Sequence, residues 1–276
     1  MTSENLLNCL KNNPTTYRSK LTIPSNINFG LEIELENVSL KTAQRVLGNY
    51  SKKWQVKEDQ SLAKYNNAEL VSPVLRNEKN TWIMLKNIAE AFQKLNPVLE
   101  RSSFQINFDG SLLPTDAEKV KFLKLFAMYE DIIYRFSKGE DTEFRTSLTT
   151  YAYPIILEMK TFLKDEEYMI AKYTDQKRSG ICFKEQKDLI EFRTPNSTLN
   201  PILWQNYITL FYYLIEYSKS NKCSLNELNT YIERYGKTYL LENYELEKKE
   251  KALKLVNNIY TNIDDQTYFM DQYLGF

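Results

Sequence analysis

The sequence predicts an α+β protein, with a mostly antiparallel sheet covered on one face by helices and an α-helical C-terminal part. Several short segments alternate apolar and polar residues with the period of two expected of a strand that buries one face. Between them run longer stretches with apolar residues at helical spacing, which places helices against the apolar strand faces. The chain has only 7 glycines and neither a GxGxxG nor a GxxxxGK[ST] run, so the dinucleotide-binding and P-loop folds fall away.

In chain order, residues 6–11 suggest a short helix, and Asn13-Pro14 and Pro24-Ser25 mark loops before a core that begins near Asn28. Residues 29–36 alternate: Leu31, Ile33 and Leu35 face one way and Glu32, Glu34 and Glu36 the other. Ser39 is the N-cap of a helix over residues 40–47, Gly48-Asn49 stops it, and residues 54–57 are extended. Glu69 lies on a strand that ends at Pro73. Residues 77–95 form a helix with Ile83, Leu85, Ile88, Ala89, Phe92 and Leu95 as its apolar stripe, closed by Pro97. In residues 103–109, Phe104, Ile106 and Phe108 oppose Gln105, Asn107 and Asp109. A long helix over 116–137 follows, then a hairpin of 181–183 and 189–194 that sets Glu191 and Arg193 against Ile190 and Phe192. Asn200-Pro201 opens an aromatic helix to about Tyr217. Residues 242–254 are helical, and the i,i+4 pairs Glu247–Lys251 and Glu250–Lys254 mark a solvated helix, each adding roughly a few tenths of a kcal/mol. The expected organisation is a lead-in over residues 1–27, a core domain over 28–219 and a helical extension over 220–276 packed on that core.

Charge is balanced across the 276 residues, 36 basic against 36 acidic, so no global field draws nucleic acid or an anionic membrane. No apolar run approaches the roughly 20 residues that cross a bilayer, and residues 1–10 lack the charged start and apolar core of a secretory signal. Cys9, Cys182 and Cys223 have no CxxC spacing, which points to a reducing cytoplasm. Histidine is absent, which excludes Ser-His and Cys-His hydrolases and most zinc enzymes. Magnesium chemistry survives this exclusion, because hard cations take oxygen ligands.

The strand faces carry the functional signal. Glu32, Glu34, Glu69, Gln105, Asn107, Glu191 and Arg193 all sit on the polar sides of expected strands. Gathered on one side of one sheet, such carboxylates repel unless cations neutralise them, as magnesium bound to nucleotide phosphates would. The alternative is that the strands are not neighbours and each wets its own face.

The segments F-G-L-E-I-E at 29–34, D-Q-S-L at 59–62, E-L-V-S-P at 69–73, Arg145 with Y-A-Y-P-I at 151–155, and I-E-F-R-T-P-N-S-T-L-N-P at 190–201 together resemble the amidoligase family. These are ATP-dependent carboxylate–amine ligases akin to glutamine synthetase and glutamate–cysteine ligase. Where that family carries a His-x-His pair, this chain has Gln105-Ile106-Asn107. The resemblance implies a glutamine-synthetase-like curved sheet, ATP and Mg²⁺ as cofactors, and an amide formed from a small-molecule or peptide carboxylate and an amine through an acyl phosphate. It implies Glu32, Glu34, Glu69 and Glu191 as metal ligands and Arg193 on the transferring phosphoryl group. Arg145 becomes a second cation for nucleotide or substrate, with a structural ion pair as its alternative. Gln105 and Asn107 occupy the positions of the family's histidines, where they bind a metal or a phosphate oxygen or else record a lost step. Asp59 activates the amine or orients a metal ligand, or else stabilises a turn. A binding or regulatory module without catalysis, and phosphoryl or nucleotidyl transfer on the same residues, remain open. The C-terminal helices leave room for a protein partner or self-association.

Overall fold

The alternating segment at 28–36 forms β1 (Asn28–Glu36), the central strand of a seven-stranded antiparallel sheet. The computed structural model describes residues 15–62, 66–141, 143–176, 178–236, 244 and 246–275. The helix expected at 6–11 and the loop at Asn13-Pro14 fall outside the described residues. After β1 come α1 (Leu40–Leu47), whose N-cap Ser39 accepts from Thr42 N as its sequence position requires, then β2 (Gln55–Lys57), β3 (Asn67–Val71) and β4 (Leu75–Arg76). Next are α2 (Lys79–Gln93), β5 (Phe104–Asp109) and α3 (Asp116–Ser137). Thr115 and Glu118 close a capping box at the start of α3. Three short helices follow that the sequence pattern does not predict: α4 (Leu148–Tyr151), α5 (Ile156–Phe162) and α6 (Glu166–Tyr173).

The hairpin β6 (Ile181–Lys184) and β7 (Leu189–Phe192) completes the sheet, in the order β2-β3-β1-β5-β7-β6, with β4 beside the start of β1. Every one of these pairings is antiparallel. The apolar faces of the strands are covered by α2, α3 and α7 (Pro201–Lys219) through stacked rings. Phe29 lies on Trp82 at 5.8 Å, Phe104 on Trp204 at 5.6 Å and Phe192 on Phe211 at 4.1 Å between centroids.

The C-terminal helices α8 (Leu225–Tyr235), α9 (Lys249–Ile259) and α10 (Ile263–Leu274) join the same hydrophobic cluster, which extends from Leu21 to Tyr273. Phe269 of α10 stacks on Phe136 of α3 at 4.5 Å. The i,i+4 pairs expected in this region give way to longer reaches. Lys251 bonds Asp131 of α3 at 2.7 Å, and Lys254 bonds Glu227 of α8 at 2.6 Å. The cause is burial: α9 packs Ala252, Leu253, Leu255, Val256 and Ile259 inward, which turns its lysines toward neighbouring helices. Among the described residues, no helix is long and apolar enough to cross a membrane.

Candidate functional site

Register sets the polar face of the sheet. Residues opposite one another in neighbouring strands share a face, so the pairs Lys57–Glu69, Glu69–Glu34, Glu32–Gln105, Asn107–Glu191 and Glu191–Cys182 run across one side. The strands are therefore neighbours, and the carboxylates gather on the side opposite the helices. A cleft of ≈ 700 Å³ lies above them, with Glu32, Glu69, Gln105, Glu191 and Arg193 in its lining. Asp59 enters from the turn after β2, where its Oδ1 accepts from Ser61 N at 2.7 Å, so it both shapes the turn and faces the cleft.

The Glu32 and Glu69 carboxyls face each other across the β1–β3 pairing and each acts on the other's charge. Burial, then the hydrogen bond and charge of Glu32, hold the Glu69 carboxyl well above the usual carboxylate range. Burial pushes Glu32 the same way but is outweighed by its hydrogen bond to Glu69, the charge of Lys57 and the Asn107 amide, so its pKa falls. Lys57 Nζ stands 3.1 Å from Glu69 and 3.9 Å from Glu32. Asn107 Nδ2 donates to Glu32 Oε1 at 3.1 Å, while its Oδ1 is buried without a hydrogen-bond partner.

On the other side of the floor, Arg193 donates to Gln105 Oε1 at 3.0 Å, to Glu191 Oε1 at 2.8 Å and to the Tyr151 carbonyl at 3.1 Å. Lys184 adds a second cation on Glu191 at 3.2 Å. Gln105 is thus a bridge, accepting from Arg193 and donating through Nε2 to Glu34 at 3.0 Å.

Three residues of the expected set lie off the cleft: Asn107, which lines only an adjoining annex, Glu34 and Arg145. Glu34 has both oxygens engaged, by Ser103 N and Oγ at 2.6 Å each and by Gln105, and it does not line the cleft. Its register position beside Ser103 turns it into the protein, where burial raises its pKa. Arg145 is fully enclosed behind the segment that follows β7. It donates to the carbonyls of Arg193 at 2.7 Å, Thr194 at 2.9 Å and Pro195 at 2.8 Å. Burial lowers its pKa to about 10. It is neither a cleft cation nor half of an ion pair; it clamps the backbone that carries Arg193.

Tyr151, the first residue of the Y-A-Y-P-I segment, also lines the cleft, as do Lys57, Lys184, Lys187 and Asp175, to which the sequence assigns no role. Lys57 carried one readable signal, its alternation with Val56 on an extended segment. Lys184 and Lys187 belong to the charged link read only as a hairpin turn. An annex of ≈ 210 Å³, sharing Glu32 and Lys187 with the cleft, is lined by Gly30, Pro73, Val74, Asn107 and Leu189.

The donor set suits a hard divalent cation. Magnesium takes one or two protein carboxylates and completes its shell with phosphate and water, and Glu32, Glu69 and the unpartnered Asn107 Oδ1 supply oxygens of that kind. No group of three or more His, Cys, Asp or Glu that could hold a metal forms among the described residues. The chain matches no family model and no curated protein.

Proposed function

We propose that the cleft is the active site of an ATP- and Mg²⁺-dependent carboxylate–amine ligase of the amidoligase type, on a glutamine-synthetase-like sheet. One observation carries this reading. Glu32 and Glu69, both held by Lys57, line a cleft of nucleotide size together with the cations Lys184, Lys187 and Arg193, and Asn107, whose Oδ1 has no partner, lines the annex beside it. A divalent cation bound there would neutralise phosphate charge during transfer. Glu32 and Glu69 would hold that cation, with Asn107 Oδ1 as a third oxygen. Arg193, fixed by Gln105, Glu191 and the Tyr151 carbonyl, aims a planar cation at phosphoryl or carboxylate oxygens. Asp59, on the rim, meets the amine. The substrate carboxylate would take the γ-phosphoryl group of ATP with release of ADP, and the amine would then displace inorganic phosphate from the acyl phosphate, losing a proton, to give the amide.

A second reading rests on a specific observation: Lys57 and Lys184 already neutralise the floor carboxylates. On that reading the cleft is the binding site of a regulatory module that performs no chemistry.

A thermal-shift titration separates the two. The ligase reading expects stabilisation only with ATP and Mg²⁺ together, by about 2.7 kcal/mol at a hundredfold excess over Kd. The Glu32→Gln, Glu69→Gln double variant should lose it. Stabilisation by ATP alone, unchanged in the double variant, would favour the module. For the ligase, a screen of carboxylate and amine pairs should then release phosphate and yield a product joined with loss of water, whereas phosphoryl transfer would add a phosphate to one partner.

A further inference from the structure

Lys57 sits on β2, at the edge of the sheet, with 53 % of its side chain exposed, yet its ammonium is held against Glu69 and Glu32, deep in the floor. Those are the carboxylates that the ligase reading assigns to a divalent cation. The ammonium serves both of them and leaves Asn107 Oδ1, on the far side of Glu32, without a partner. A lysine can stand in for the charge of a cation but not for its coordination: it offers three donors and one positive charge, whereas a divalent ion takes six or more oxygens and two charges. The two cannot share the carboxylates, because like charges at about 4 Å repel by several kcal/mol at the dielectric of a half-buried site.

Among the described residues, the ion pairs of Lys57 are with Glu32 and Glu69. Its stem is a flexible four-carbon chain on a three-residue edge strand, and it lines the cleft together with Glu32, Glu69 and Asp59. Lys184 differs: its side chain is only 15 % exposed, and it shares Glu191 with Arg193.

Resting on the ligase reading of the cleft, we propose that Lys57 is a displaceable counter-ion. It holds Glu32 and Glu69 in position before loading, yields them to the arriving divalent cation, and then turns its ammonium to the anionic oxygens that come with that cation. Lys57 is accordingly a positioning residue with opposite effects on two ligands: it competes with the bare cation and assists the cation–polyphosphate complex.

The test is a calorimetric titration at fixed ionic strength of wild type and Lys57→Gln, with Mn²⁺ alone and with Mn²⁺ plus inorganic tripolyphosphate. Lys57→Gln should bind Mn²⁺ alone about three- to fivefold more tightly, the range set by a partly exposed ion pair, and the Mn²⁺–tripolyphosphate complex about threefold more weakly. A merely structural lysine would not move the two affinities in opposite directions. If Lys57→Gln binds Mn²⁺ no more tightly than wild type, the counter-ion role is overturned while the ligase reading stands on the tripolyphosphate arm. If tighter Mn²⁺ binding comes without weaker complex binding, the turn toward anionic oxygens is overturned. If neither protein takes Mn²⁺ even with tripolyphosphate present, both the inference and the reading beneath it fall.

Discussion

Arg145 shows how a residue can matter to a site it never enters. Its guanidinium satisfies three carbonyls of residues 193–195, two of them buried beyond the reach of water, so Arg145→Ala leaves several acceptors unpaired at roughly 1–3 kcal/mol each. The variant should lose at least about 3 kcal/mol of stability, read as a lower urea midpoint with an unchanged slope. Arg145→Lys should recover only part, since one ammonium cannot span three carbonyls. The sequence flagged this arginine but not its direction, which depends on a segment fifty residues away. Glu34 and Glu69 make the same point. Both are outward glutamates of alternating strands, but Glu34 comes to lie beside Ser103 and Glu69 beside Lys57, and only the pairing of distant strands decides which carboxylate is closed off. By contrast, the polar side that each of Glu32, Gln105, Asn107, Glu191 and Arg193 takes on its own strand was legible, because a period of two needs no partner to be read, whereas the joining of those sides into one face came only with the pairing.

Among the elements, the β6–β7 hairpin is held to β5 by a contact that admits only glycine. A Cβ on Gly110 would stand 2.0 Å from Asp188 Oδ1 and 2.9 Å from the Asp188 carbonyl carbon, and Gly110 N donates to the Asp188 carbonyl at 2.7 Å. Asp188 itself is left-handed, with φ 49°, at the end of the turn that carries Lys187 into the cleft. Gly110→Ala should therefore destabilise the protein by about 1–3 kcal/mol and weaken polyphosphate binding by displacing Lys187, with both effects measured on one sample by calorimetry and urea unfolding. The hairpin itself was readable from two short apolar runs around a charged link. The three short helices between residues 148 and 173 were not, because each is too short to show a helical period and depends on tertiary contacts.

At the scale of the whole molecule, α3 ties the sheet to the C-terminal helices through charged groups in its interior. Glu130, with no exposed surface, accepts from Ile155 N at 2.6 Å, Ile156 N at 3.0 Å and the Tyr244 hydroxyl at 3.1 Å. Burial, only partly offset by these bonds, pushes its carboxyl up to about 8 from 4.5. A group whose pKa rises on folding stabilises the folded state fully while it is protonated in both states. That contribution is present below about pH 4.5 and is lost as pH climbs toward 8. Urea midpoints should thus decline between pH 5 and 8, and Glu130→Gln should remove a part of that decline on the order of 2–4 kcal/mol. Glu34, also raised by burial, contributes with the same sign and remains in the variant. That the C-terminal helices pack on the core was expected; that lysines reach the interior at Asp131 was not, because charge pairs between helices leave no local pattern.

The central strand has a last consequence. From Asn28 to Glu36 it is flanked on one side by β4 and β3 and on the other by β5 and the segment before it, so its amides are enclosed by ladders on both edges. Strands of this kind exchange their amide hydrogens only when a protein opens globally, whereas edge strands breathe on their own. Glu32 therefore rides on a strand that opens only with the whole protein and Lys57 on an edge strand that can open alone: the cleft has an anvil for a floor and a latch for a rim.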